Sequence, residues 1–255
     1  MCSNLNAKTA ARKDAAFDWS KAGSVRKTVR LLRDHGVPAT AAIIASVIED
    51  LYIRAFDRFY GVHTSGYIRL ACTSLEKNQV KRGHRYRAVN AWAFKRVINA
   101  LKPSKEFRFV DLGCGLGRAC LIAADYGFRR VRGVEFVPEF CVKARANAEA
   151  FCSGAGKGRP PVEIRLEDAV NYTKNSDDDI VFLYNPFPVD VLKQVIENLL
   201  SDIPQRKRPA LIIYSERVIE TSRTLELFEQ HESLVPIFKH SSWGQSFYVF
   251  RPKSK

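Results

Sequence analysis

The sequence predicts an α/β fold, a doubly wound and mostly parallel seven-stranded sheet with a terminal antiparallel hairpin, preceded by a small α-helical N-terminal region. Three observations carry this. Beyond residue 102, short apolar runs alternate five times with helix-length segments, the signature of βα units on a parallel sheet. The stretch "RFVDLGCGLGRACLIAADYG", Arg108 to Gly127, passes from an apolar run through clustered glycines into a helical pattern. The chain then closes on two strand-like runs, "LVPIFKH" and "QSFYVFRP", joined by the short turn "SSWG", and strands joined so tightly are antiparallel.

Residues 1–22 are polar and basic and read as a flexible N-terminus. Residues 23–102 read as a helical region carrying a lid. Val25, Val29 and Leu32 share one helix face there, with Gly36 as a stop. Pro38 suits the first turn of a second helix, "PATAAIIASVIEDLYIRAFDRFY", and "AVNAWAFKRVINAL" returns to a helical period before Pro103. The polar connection between those helices, "GVHTSGYIRLACTSLEKNQVKRGHRYR", is long enough to be functional or partly mobile. Residues 103–255 read as the main domain. Its strands are "RFVDLG", "RRVRGVEF", "VEIRL", "IVFLYNPF" and "PALIIYS". Its helices are "RACLIAADYG", "PEFCVKARANAEAF", "VDVLKQVIENLL" and "TLELFEQH", and "EDAVNYTKNSDDD" reads as a connection.

Composition bounds the function. With 255 residues, 46% of them hydrophobic, the chain can bury one sizeable core. No run of eighteen apolar residues is present and no signal-type apolar segment opens the chain, so neither membrane insertion nor secretion is expected. Six cysteines are scattered without a metal-type spacing, which argues against a zinc site or a disulfide scaffold and for a reducing cytoplasm. The net charge of +14 invites a polyanionic partner, nucleic acid or an acidic protein.

In an open α/β sheet the ligand lies beyond the carboxyl ends of the strands, near the switch in strand order. Glycines in the first strand-to-helix turn tolerate positive φ and let the backbone approach that ligand. A dinucleotide site needs Gly-x-Gly-x-x-Gly or Ala. Here Gly113-x-Gly115 is followed at the third place by Arg118, and Gly115-x-Gly117 by Cys120, so a nicotinamide-dependent reductase is disfavoured. Asp111 followed by Gly113, Gly115 and Gly117 suits a ligand without pyrophosphate, S-adenosylmethionine (SAM), whose ammonium group a carboxylate would hold. Glu135 ends the second strand, where a carboxylate can accept from ribose hydroxyls. Glu167 and Asp168 end the third, where an acid can accept from the adenine amine; alone, either could serve instead as a helix N-cap.

The series "VDLGCGLGR", "GVEF", "LEDA" and "YNPF" resembles the motifs of class I SAM-dependent methyltransferases over roughly Phe107 to the C-terminus. The resemblance implies that Asp111, Gly113, Gly115 and Gly117 surround the methionine and ribose of the cofactor. It also implies Glu135 at the ribose, Phe136 against the adenine and Asp168 at its amine. The helical front end and lid look like bacterial methyltransferases of unassigned substrate and, more distantly, like non-SET histone lysine methyltransferases.

Residues after the fourth strand face the methyl group in that fold. Amino-group methyltransferases place Asn or Asp, Pro-Pro and an aromatic there; Asn185-Pro186-Phe187 resembles a shortened form with one proline. Asn185, Tyr184 and Phe187 are therefore the candidate catalytic residues, with Asn185 also bordering the cofactor, and His63 and Glu216 as further candidates. Asn185-Pro186 is equally a turn that ends a strand. The expected activity is methyl transfer to a nucleophile, foremost a nitrogen such as a protein lysine or another amine. Two alternatives stay open: a basic nucleic-acid or chromatin-binding protein with a degenerate site, and an O-methyltransferase of a small molecule or RNA.

Overall fold

A computed structural model gives the architecture and describes residues 51, 54–68, 70, 73–75, 77–83, 86–201, 209–217, 223–242 and 244–253. The N-terminus at 1–22, the helix from Ser24 and the start of the helix from Pro38 lie outside the described residues. In chain order the elements begin with helical residues 54–60 (α1), β1 Tyr67–Ile68, α2 Lys77–Val80, β2 Tyr86–Arg87 and α3 Ala91–Leu101. Then come β3 Arg108–Leu112, α4 Arg118–Tyr126, β4 Arg130–Glu135, α5 Pro138–Ser153, β5 Val162–Leu166 and α6 Ala169–Thr173. The last are β6 Ile180–Tyr184, α7 Val189–Leu200, β7 Leu211–Arg217, α8 Arg223–Glu229, β8 Leu234–Ser242 and β9 Gln245–Pro252.

The seven-stranded sheet has the order β5-β4-β3-β6-β7-β9-β8. Its first five strands are parallel, and β9 runs antiparallel between β7 and β8. The final hairpin therefore does not simply extend the sheet. Its second strand wedges inward and its first forms the edge, which leaves β9 as the one reversed strand. The "EDAVNYTKNSDDD" segment, read as a connection, holds the short helix α6, begun by Asp168 accepting from Val170 N–H at 2.8 Å. The long connection after α1 is ordered in part as the two-stranded ribbon β1–β2, with Tyr67 opposite Arg87 and Ile68 opposite Tyr86.

Local chemistry explains the helix ends. Asn90 caps α3 by accepting from Ala93 N–H, and Pro138 stands in the first turn of α5, where a missing N–H costs nothing. The central strands β3 and β6 are buried almost throughout because helices cover both faces. Alternation along β3 divides two core layers. Phe109 packs with α3 and α4, while Val110 and Leu112 pack with α6, α7 and α8. Asp111, next but one to Phe109, thereby points to the α3–α4 face. The order reverses between β3 and β6, so the loops after these two strands meet at one switch point.

Candidate functional site

The loop after β3 holds three glycines in left-handed conformations: φ is 79° at Gly113, 55° at Gly115 and 88° at Gly117. Side chains would crowd two of them. A Cβ on Gly113 would lie 2.5 Å from Pro186 Cβ, and one on Gly115 would lie 2.2 Å from the Tyr86 ring. The glycines thus let the loop after β6 and the ribbon strand β2 close directly onto the backbone.

These segments line a cleft formed by Leu70 and Tyr86 from the β1–β2 segment, Asp111, Gly113 and Gly115 from the first turn, and Glu135 and Phe136 beyond β4. Tyr184, Asn185 and Phe187 close it beyond β6. Its volume is about 60 Å³, far below the roughly 300–1,000 Å³ of ligand pockets. Tyr86 and Pro186 occupy the space over the glycines.

Two buried carboxylates face this cleft. Glu135 closes the loop: Oε2 accepts from Gly115 N–H at 2.8 Å, and Oε1 from Phe136 and Val137 N–H at 2.9 and 3.0 Å. A carboxylate has about four acceptor sites, so one remains on Oε2. Burial pushes its carboxyl up to about 6, against the lowering effect of those three backbone bonds. Asp111 differs. It is 4% exposed, and its one hydrogen-bonding neighbour among the described residues is the Cys120 thiol at 4.0 Å from Oδ2. Burial, and then the neighbouring Glu135, hold its carboxyl well above the ordinary range.

Asn185 stands at the end of β6 with φ 37°, a conformation that Asn tolerates better than most residues. Its Oδ1 lies 3.2 Å from the Tyr214 hydroxyl and 3.4 Å from that of Thr224, and Tyr214 Oη lies 3.3 Å from Glu216 Oε2. Phe187 is 4% exposed and packs within the core layer of α7 as well as bordering the cleft.

The structure thus gathers Asp111, Gly113, Gly115, Glu135, Phe136, Tyr184, Asn185 and Phe187 around one space. Gly117, Glu167, Asp168 and His63 are not among the residues that line it. Gly117 opens α4 in the left-handed region, Glu167 N–H donates to Glu135 O, and His63 is exposed with its N–H held by Asn147 Oδ1. Asp168 is the α6 cap, and its other oxygen pairs with Arg82 at 2.9 Å. Sequence reading missed Tyr86, Arg118, Tyr214 and Thr224. Tyr86 lies in the connection "GVHTSGYIRLACTSLEKNQVKRGHRYR". Tyr214 could have been found from alternation, because it shares a strand face with Glu216.

Arg118, the first residue of α4, is 2% exposed. Its guanidinium pairs with Asp57 at 2.9 Å, donates to Thr64 Oγ1 at 2.7 Å and lies 5.0 Å from the Phe56 ring centre. Thr64 O in turn accepts from the Tyr86 hydroxyl at 2.5 Å, so the pair helps fasten the ribbon strand β2 over the glycine loop.

No family model matches the chain, and no curated protein matches it in sequence. Solved structures do. The Escherichia coli protein yhhF, which carries a provisional methyltransferase name, superposes with a TM-score of 0.51 at 15% identity, over 74% of this chain and 100% of that one. An RNA methyltransferase from Salinibacter ruber, solved with S-adenosyl-L-homocysteine, gives 0.48 at 20% identity over 66% of this chain and 95% of that one. A ribosomal protein L11 methylase from Lactobacillus delbrueckii subsp. bulgaricus gives 0.48 at 15% identity over 63% and 78%. The strand order, the reversed β9 and the superposition on the E. coli protein agree: the chain has the fold of the class I SAM-dependent methyltransferases.

Proposed function

We propose that the chain is a methyltransferase that uses SAM and transfers its methyl group to a nitrogen nucleophile. The observation that carries this reading is Asp111, a buried carboxylate without a cationic partner among the described residues, placed at the strand-order switch beside a loop of left-handed glycines. The cofactor, when bound, supplies an electrophilic methyl group. Asp111 would hold its ammonium, the free acceptor site of Glu135 a ribose hydroxyl, and Phe136, Leu70 and Phe140 its adenine. Tyr86 and Leu70 belong to the lid, so entry requires the lid to swing outward.

Methyl transfer needs a positioned nucleophile and little covalent chemistry from the protein. Asn185 supports the nitrogen reading. It stands at the end of β6 and borders the cleft, and its amide oxygen is an acceptor of the kind an amine N–H would meet. The division proposed for the chain, a helical and lid region at 23–102 before the catalytic domain at 103–255, follows the same reading.

Titration calorimetry with S-adenosylhomocysteine tests the cofactor assignment; absence of binding by the wild-type chain overturns it. Asn185→Ala is expected to leave that affinity within about threefold while turnover falls about 10²-fold, as for an interaction made mainly in the transition state. Full turnover by Asn185→Ala would remove the nitrogen assignment and leave the cofactor assignment standing.

Affinity is also expected to depend on pH. Protonated Glu135 can no longer accept at every site, so binding of S-adenosylhomocysteine weakens as pH falls through about 6. Stability from this group runs the other way. Its folded pKa is raised from 4.5, so the folded state holds the proton more tightly than the unfolded chain; this contribution is full below 4.5 and is lost as pH rises through about 6. A Glu135→Gln chain that keeps the same inflection would assign it elsewhere, with Asp111 next.

A further inference from the structure

A second cavity, of about 420 Å³, lies on the α3–α4 side of the fold, lined by Lys95, Asn99, Lys105, Asp125, Tyr126 and Arg159 over a floor of Ile98 and Ile122. Neither the glycine loop nor the loop after β6 reaches it. We propose that this groove binds the phosphate backbone of a single-stranded nucleic acid, one nucleotide entering the cavity and the strand continuing along α3.

Charge is the first argument. The groove carries three cations and one acid. The Asp125 carboxylate is already engaged, by Lys95 at 2.8 Å, the Tyr60 hydroxyl at 2.6 Å and Arg159 at 3.5 Å. Lys105 has no carboxylate partner among the described residues; its ammonium lies 5.8 Å from the Tyr126 ring centre. Several arginines elsewhere have carboxylate partners: Arg108 pairs with Asp177 and Asp179, Arg130 with Asp177 and Asp178, and Arg132 and Arg165 with Glu163. In the groove three cations face one acid, which leaves a local surplus of positive charge.

Shape and composition are the second. The cavity falls within the usual size of ligand pockets, and a tyrosine ring and two isoleucines beside the cations suit an apolar base next to a phosphate. On α3, Trp92, Lys95, Arg96 and Asn99 follow one another at helical spacing, with the Arg96 guanidinium 5.1 Å from the Trp92 ring centre. Trp92 is 42% exposed on this same face. The helix begins at Ala91, two residues after Val89, which borders the cleft, and rises ~12 Å by Asn99. A strand of a few nucleotides seated in the groove would reach that cleft along this face.

Fluorescence anisotropy of labelled twelve-nucleotide RNA and DNA of one sequence tests this, with full-length protein across a salt series. Lys105→Glu/Arg159→Glu is expected to weaken binding at least tenfold and to flatten the slope of log K against log salt by about 1.4, two phosphate contacts at roughly 0.7 each. Lys174→Glu/Lys193→Glu, which makes the same change of charge on α6 and α7, is expected to cost less than threefold. The RNA and DNA arms show which sugar is preferred, and preference for either supports the proposal. Equal losses from both double variants overturn it, as does adenosine monophosphate binding as tightly as the twelve-mers. S-adenosylhomocysteine affinity is expected to be unchanged in the groove variant, so failure here and failure of the methyltransferase reading are separate results.

Discussion

Asp111→Asn is expected to weaken S-adenosylhomocysteine binding by about 10³-fold while raising the melting temperature by a few degrees. The two effects have one cause. Burial, with Glu135 nearby, opposes ionisation of Asp111, so the free protein is burdened by a carboxylate that the fold does not compensate. An amide of the same shape removes that burden and cannot pair with an ammonium. Losing one partner of a buried charge pair costs about 2–5 kcal/mol of binding, which spans this fold-change. One kcal/mol of added stability shifts a chain of this size by about 2–4 °C. Calorimetry and a thermal scan on one preparation read both signs. A higher melting temperature with unchanged affinity would show that Asp111 is buried for another reason and take the ammonium assignment away.

That carboxylate was legible in the sequence because its context is local. Asp111, the three glycines and Glu135 lie on two consecutive strands, and parallel βα units bring successive strand ends to one edge of the sheet. At Asp168 the structure shows the other reading the sequence left open, a helix cap. Its strand end is adjacent to the site, but the side chain caps α6 and meets Arg82, the ordinary use of an acid before a helix. What stayed hidden depends on distant pairings. Tyr86 reaches Gly115 only because the ribbon β1–β2 folds over the loop, and Thr224 reaches Asn185 across 39 positions. Periodicity records which face of an element is buried, and nothing in it names the partner.

Asp57 and Arg118 form another such pairing, across 61 positions, and their replacement is expected to be asymmetric. Asp57 accepts from the N–H and hydroxyl of both Thr64 and Ser65 as well as from Arg118. Burial alone would raise its pKa; these hydrogen bonds and the guanidinium outweigh that and hold it below its usual value. In Arg118→Met, Asp57 keeps four donors, so the expected cost is about 1–2 kcal/mol. In Asp57→Ala, the guanidinium, with its side chain 1% exposed, loses the carboxylate that pairs it, and four donors of the turn lose their acceptor. That belongs with broken buried ion pairs, about 3–5 kcal/mol, or on the order of 10 °C in melting temperature. The double variant is expected to be more stable than Asp57→Ala, because the second change removes the orphaned charge. Function should follow the same ranking. The turn released in Asp57→Ala holds the Tyr86 hydroxyl through Thr64 O, so S-adenosylhomocysteine should bind less tightly in that variant than in Arg118→Met. Equal destabilisation by the two single changes, with no rescue in the double, would reduce the pair to ordinary packing and free the lid from it.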